Sequence, residues 1–145
     1  MRNTIRGISI VLALCIILAV PVCVSASDNQ RASLFFMAHR VFIYKTGDYS
    51  YAACFDVTGT GTMQEIGAKS LSVQRSTDGE NWTTVRTYTS DTYPEMIAEN
   101  TITHQGEFYR LAAPGYYFRL EVELWAKDSR GTGELTVYSA QVWFD

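Results

Sequence analysis

The strongest constraint on the fold is a two-residue alternation of apolar and polar side chains at positions 117–125. The apolar set is Phe118, Leu120, Val122 and Leu124, and the opposite set is Tyr117, Arg119, Glu121, Glu123 and Trp125. Successive side chains of a β-strand point to opposite faces, so this spacing predicts one buried and one outward face. Burial of an apolar side chain contributes roughly 1.5 to 3 kcal/mol before entropy is subtracted. We therefore predict a central strand here.

Six further segments have the composition of strands, and turn residues separate most of them. The strand candidates cover residues 34–45, 49–57, 69–75, 82–88, 106–111 and 135–144, and the turns fall at 47–48, 58–62, 76–81, 113–115 and 128–133. Residues 90–100 lack a clear period and are predicted to be a loop, with one helical turn over 95–100. Seven strands with frequent turns and no convincing helix after residue 26 predict a single antiparallel β-sandwich.

The strand pattern also favours a particular connectivity within that class. Tyr116 or Tyr117, near the start of the predicted penultimate strand, is similar to the tyrosine corner of immunoglobulin-like domains. We therefore expect immunoglobulin-like or fibronectin type III-like connectivity. A jelly roll is the alternative.

The N-terminus has the three-part layout of a secretory signal peptide. Arg2 and Arg6 supply a basic start, residues 8–20 are almost entirely apolar, and small residues precede the predicted cleavage point after Ala26. The expected organisation is a signal helix over 1–26 followed by one secreted domain over 27–145. An uncleaved anchor is the alternative, because the apolar run through Val24 reaches about 17 residues, the lower edge of a membrane span.

Charge and cysteine content restrict the partners and the redox chemistry. Removing Arg2 and Arg6 from the 12 basic residues leaves ten against 15 acidic ones, a formal charge near −5. This balance argues against nucleic acid and anionic membrane surfaces, which need clustered basic residues. Cleavage after Ala26 would also leave Cys54 as a single thiol, either free or paired with another chain.

Two stretches, residues 60–88 and 114–144, together resemble a family of small secreted proteins of Gram-positive bacteria that carry a domain of unknown function. The first stretch has an Ile-Gly turn, a strand, a polar hairpin and a return strand with Trp82, as that family does. The resemblance implies a secreted β-sandwich. It implies no catalytic residues.

A catalytic thiol is one reading of Cys54, with His39 or His104 as base and Asp56 as orienting group. Neither histidine has a diagnostic spacing to the cysteine, and no local motif would lower the pKa of the thiol. A small thiol packed against a neighbouring strand is the simpler interpretation. We therefore do not predict thiol catalysis.

Paired carboxylates at Glu121 and Glu123 are the second catalytic candidate, because two acids on one strand face can act on glycosides. The same pattern describes an ordinary solvated strand face, which is the interpretation we favour. Two isolated histidines, one mature cysteine and no Asp-rich loop leave no metal-ligand spacing, so no metal or cofactor is predicted.

The aromatic residues give the best functional lead. Tyr117 and Trp125 lie on the outward face of the central strand, while Trp82 and Trp143 lie at strand ends, so the four are predicted as a ligand platform. The alternative is that these rings only cover the sheet. The sequence thus predicts a secreted, non-enzymatic binding or adhesive module at the cell envelope, with polysaccharide or a surface protein as candidate partner. A structural subunit linked through Cys54 is a further alternative.

Overall fold

The computed structural model describes Ala32 and residues 34–145, which form an almost entirely β structure. Its elements are β1 (Phe36–Gly47), β2 (Ser50–Ser76), β3 (Thr83–Thr89), a 3-10 helix (Pro94–Met96), β4 (Ile97–Leu111), β5 (Tyr116–Asp128), β6 (Gly131–Tyr138) and β7 (Val142–Phe144). All strand pairs are antiparallel. The predicted all-β class is confirmed. The number of strands also agrees, but the strands predicted over 49–57 and 69–75 are both part of β2, and the strand predicted over 135–144 is divided into β6 and β7. The signal peptide predicted over residues 1–26 lies outside the described residues. No helix in the described part is long and apolar enough to cross a membrane.

Strand β2 is 27 residues long and pairs along both of its edges. Its first half lies between β1 and β4, and its second half lies between β5 and β3. Strands β6 and β7 then pair with the far edge of β5. All seven strands therefore belong to one hydrogen-bonded sheet.

The turn predicted over residues 58–62 is wrong, because this segment continues β2. Between the pairs Thr58–Thr103 and Met63–Thr101, the chain advances five residues along β2 and two along β4. The extra residues form a bulge, which bends a strand without ending it. A side chain at Gly59 would meet the buried side chain of Met63 at 2.8 Å, so glycine leaves room for the bend.

The sheet curls into a half-barrel around one apolar core. Phe55, Leu71, Leu120 and Phe144 are among its fully or almost fully buried members. The two separate sheets of the predicted sandwich are not confirmed, because β2 carries the hydrogen bonding from one half of the sheet into the other. The core is instead enclosed by the inner surface of one bent sheet.

The prediction for the central strand is confirmed in detail. Phe118, Leu120, Val122 and Leu124 are all buried, whereas the alternate residues from Tyr117 to Trp125 are half-buried on the outward face. β5 has β2 on one side, with β6 and β7 on the other. It is therefore central, as its alternation indicates.

The loop and helical turn predicted over residues 90–100 are only partly correct. A 3-10 helix occupies Pro94–Met96, but β4 begins at Ile97, where a strand was not expected. A side chain on Gly67 of β2 would clash with the backbone oxygen of Met96. Glycine at this position thus lets the short helix lie against the sheet and lead into β4.

The C-terminal region also differs from the single strand predicted over residues 135–144. The turn is confined to residues 129–130, β6 begins at Gly131, and a break separates β6 from β7. At this break the Ser139 hydroxyl accepts a hydrogen bond from the Leu120 amide at 2.9 Å. This side-chain contact satisfies a backbone donor of β5 where β6 has ended.

We expect Leu124→Ala to destabilise the protein by about 2 to 5 kcal/mol, because it removes a fully buried side chain from the core. The free energy of unfolding from urea denaturation measures the effect. Leu111→Ala is the matched control: Leu111 is 82% exposed, and its loss should change stability by less than about 0.5 kcal/mol. Similar effects for the two variants would contradict the core described above.

Candidate functional site

The outward face of the second half of the sheet ends in an aromatic cluster. Tyr117 and Trp143 are partners in the β5–β7 register, and their ring centroids lie 4.7 Å apart with the planes tilted by 56°. Tyr117 is half-buried and Trp143 is 40% exposed. Two of the four aromatic residues predicted for a platform are therefore in direct contact at one end of this face.

Arg119, two residues beyond Tyr117 on the same face of β5, contacts two further rings. Its guanidinium carbon lies 4.2 Å from the ring centre of Trp82 and 4.9 Å from that of Tyr138. Cation–π contacts at these distances hold a guanidinium against the ring faces. We call the group formed by Tyr117, Arg119, Trp143, Trp82 and Tyr138 the aromatic end cluster.

A polar chain extends from the aromatic end cluster along the sheet. Nε of Arg119 donates to Oε1 of Gln74 at 2.8 Å, and Nε2 of Gln74 donates to Oε2 of Glu121 at 2.6 Å. These contacts fix the orientation of the Gln74 amide and place a carboxylate beside it. The face thus combines aromatic rings with planar polar groups.

Trp125 lies apart from the aromatic end cluster, eight residues farther along β5 than Tyr117. At about 3.3 Å per residue, the two positions are separated by roughly 26 Å along the strand. Nζ of Lys69 lies 3.6 Å from the Trp125 ring centre, and the indole N–H donates to Glu65 at 3.0 Å. Trp125 therefore contacts charged neighbours, and the four predicted aromatics do not form one surface.

Glu121 and Glu123 lie on the outward face, as predicted, and both are half-buried. Glu121 accepts a hydrogen bond from Gln74, and Glu123 accepts one from Ser70 at 3.5 Å. Each carboxylate thus contacts a different neutral side chain of β2. This arrangement is that of a hydrogen-bonded sheet surface.

Cys54 is a free thiol that is only 5% exposed. It lies on the outward face of β2, packed against the neighbouring strands β1 and β4 as the simpler interpretation predicted. Burial, with the nearby Glu107 carboxylate, raises the pKa of the thiol to about 12. A thiol that stays protonated at neutral pH is a poor nucleophile.

The two histidines lie on the other face of the sheet from Cys54. His39 and His104 are both register partners of Val57, which alternates with Cys54 and Asp56 along β2. Paired residues of adjacent strands share a face, so both imidazoles belong to the Val57 side. Nε2 of His104 lies 2.8 Å from the Glu95 carbonyl oxygen instead. The structure therefore does not assemble the Cys–His pair considered from the sequence.

Asp56 shares the face of Cys54 and contacts Arg40 at 3.5 Å. No group of three or more potential metal ligands occurs among the described residues.

Comparison with known proteins adds two distant structural likenesses. No family model matches the chain, and no curated protein matches it. The Spo0M sporulation control protein of Bacillus subtilis has 12% identity and a TM-score of 0.37, over 70% of this chain and 49% of that chain. A putative ApaA protein of Bordetella pertussis has 11% identity and a TM-score of 0.38, over 72% of this chain and 90% of that one. The chain thus spans about half of the Spo0M chain.

Sequence reasoning did not identify Gln74 and Tyr138 as neighbours of the predicted aromatic residues. Gln74 lies 45 residues before Arg119, and Tyr138 belonged to a strand whose predicted bounds were wrong. The alternation in β2 and β6 identifies an outward face, but only the strand register identifies which outward residues meet.

We expect Cys54 to react with a thiol reagent at pH 8 at least tenfold more slowly in the native protein than in 6 M guanidinium chloride. Burial and the raised pKa both keep the native sulfur in its unreactive protonated form. Stopped-flow or absorbance assays with an aromatic disulfide measure the rate. Equal rates in the two states would contradict the buried thiol.

Proposed function

We propose that this protein is a secreted, non-enzymatic binding module that recognises polysaccharide of the cell envelope through the aromatic end cluster. The observation that carries the proposal is the contact between Tyr117 and Trp143 at one end of the sheet, on the face of β5 that also carries Arg119. Exposed rings beside oriented polar groups mark a surface that binds ligands.

The chemistry of the cluster favours a sugar ligand. A pyranose presents an apolar C–H face, which stacks on an aromatic ring, and hydroxyl groups at its rim, which need donors and acceptors. Tyr117 and Trp143 supply the rings, while Arg119 and Glu121, both held by the buried Gln74 amide, supply polar groups farther along the same face. The polar residues along β5 would let an extended polysaccharide contact the sheet beyond the rings.

The absence of enzymatic activity is part of this proposal. The pKa of the Cys54 thiol is raised, and both histidines lie on the opposite face of the sheet from this thiol. Glu121 is hydrogen-bonded to Gln74 within the polar chain. These observations favour binding over hydrolysis.

Secretion rests on the sequence of residues 1–26 alone. We expect the protein collected from culture fluid to begin at Ser27, because small residues precede that position as at a signal cleavage site. N-terminal sequencing tests this. Ala26→Arg should block cleavage and retain the full chain in the cell. Recovery of an unprocessed native chain from the membrane fraction would favour the uncleaved anchor.

The resemblance to secreted Gram-positive proteins and the immunoglobulin-like or fibronectin type III-like connectivity remain predictions. Both are consistent with a surface role, since loops and outward faces of β-domains commonly carry binding sites. The proposed ligand surface depends on neither of them.

The binding proposal predicts retention of the purified protein on insoluble peptidoglycan or another wall polysaccharide. Trp143→Ala should weaken that binding about tenfold, corresponding to about 1.4 kcal/mol, because a stacking ring is lost. Pull-down isotherms on the insoluble polymer measure the change. Tyr117→Ala should have a similar effect, since its ring contacts Trp143.

Tyr49→Ala is the matched control for these variants. Tyr49 is 54% exposed and lies in the β1–β2 turn, outside the aromatic end cluster. Its substitution should leave retention within twofold of the parent. Absence of retention on all wall polymers, or equal losses in the three variants, would contradict the proposal.

A further inference from the structure

A second outward surface lies on the first half of the sheet, where small residues of β2 are flanked by larger ones. The register places Cys54 between Phe42 and Glu107, and Ala52 between Tyr44 and Tyr109. Short side chains on the middle strand leave a trough between the longer ones on β1 and β4. The resulting cavity has a volume of about 240 Å³.

We call this cavity the Cys54 pocket; the residues that line it include Arg40, Phe42, Tyr44, Cys54, Asp56 and Glu107. Drug-sized ligand sites span roughly 300 to 1,000 Å³. The smaller volume of this pocket suits a single side chain.

The walls of the pocket are aromatic and acidic. Phe42 and Tyr44 stack with centroids 6.1 Å apart and planes within 18° of parallel. The Tyr44 hydroxyl donates to Oε1 of Glu107 at 2.6 Å, and Sγ of Cys54 lies 3.6 Å from the same oxygen. The hydrogen bond from Tyr44 is the main cause of a lowered pKa at Glu107, which keeps this carboxylate ionised.

Glu107 has no cationic partner of its own within the described part of the chain. All ion pairs in the described residues involve carboxylates other than Glu107. The side chains that donate hydrogen bonds to Glu107 are the neutral Tyr44 hydroxyl and the Cys54 thiol. An ionised carboxylate beside two aromatic rings attracts a cation, because both the charge and the ring faces favour positive groups. The net acidic charge of the chain acts in the same direction.

Arg40 shows which cation this surface accommodates. Its guanidinium carbon lies 4.8 Å from the Phe42 ring centre, and its NH2 group lies 3.5 Å from Asp56. The ion pair is longer than the 2.7 to 2.9 Å of a strong charge-assisted hydrogen bond, and the Arg40 side chain is 69% exposed. A planar guanidinium therefore fits against this ring while being held only loosely.

We propose that the Cys54 pocket binds an arginine side chain of a partner protein, with its guanidinium between the Phe42–Tyr44 rings and the carboxylates of Glu107 and Asp56. A guanidinium suits this site better than an ammonium, because its planar face stacks on a ring while its edge donates to carboxylates. This proposal is independent of polysaccharide binding, since the aromatic end cluster lies on the other half of the sheet.

The direct test is an NMR titration of the purified protein with Nα-acetyl-arginine N-methylamide. Saturable shifts of the backbone signals of Phe42, Tyr44 and Cys54 are expected, and the binding should weaken with added salt. The citrulline analogue has the same shape without the charge, and it should bind at least tenfold more weakly. Absence of saturable shifts, or equal binding of citrulline, would overturn the proposal.

Two further ligands test the chemical class. The corresponding lysine compound should bind more weakly than the arginine compound, because an ammonium lacks the planar face. A glucosamine trimer tests amino sugars as an alternative source of positive charge. Tighter binding of either compound than of arginine would show that the site does not select a guanidinium.

Variants locate the site. Glu107→Gln should weaken binding of the arginine compound about tenfold, whereas Glu99→Gln, which makes the same change elsewhere on β4, should leave it within twofold. Arg40→Ala should not weaken binding, because it removes a competing guanidinium from Phe42. Urea denaturation verifies that each variant is folded. Equal effects of Glu107→Gln and Glu99→Gln, or loss of binding in Arg40→Ala, would refute the assignment.

Discussion

Hydrogen bonding along both edges of β2 is the constraint on which the rest of the structure depends. The first half of this strand joins β1 to β4, and the second half joins β5 to β3. Buried backbone groups must be paired, so the flanking strands depend on the course of β2 for their partners. The two halves of the sheet are thus one structural unit.

The length of β2 explains why the sheet curls. At about 3.3 Å per residue, 27 residues would extend roughly 90 Å if straight, far beyond the dimensions of a domain of this size. Bulges near residues 58–63 against β4 and residues 68–70 against β5 bend the strand. The bending brings the inner faces of both halves around Phe55 and Leu120, and apolar burial then stabilises the curl.

The sequence predicted β5 well because that strand has one buried and one outward face, so its alternation is visible locally. It predicted β2 poorly for two reasons. Ala52 and Cys54 are buried along with Tyr51 and Phe55, so burial in this half of the strand does not alternate between its two faces. The glycine-rich residues 58–62 suit a turn as well as a bulge, and the distant β4 decides between them.

The candidate sites were less accessible to prediction than the fold, because each combines residues that are distant in sequence. Tyr44 and Glu107 are 63 residues apart, and Gln74 and Arg119 are 45 apart. Composition indicates that aromatic and polar residues are present on outward faces, but strand register decides which of them meet. The sequence therefore identified Tyr117, Trp143 and Trp82 as outward aromatics, but not their association with Gln74 and Tyr138 through Arg119.

Outward side chains of β2 help to shape both candidate surfaces. Ala52 and Cys54 leave a trough in the first half of the sheet, and Gln74 holds Arg119 and Glu121 in the second. The flanking strands then determine the chemistry, with acidic and aromatic residues in one half and a polar strip ending in rings in the other. Because the core lies on the opposite side of the sheet, exposed members of these surfaces such as Tyr44 and Trp143 can be substituted with little loss of core packing.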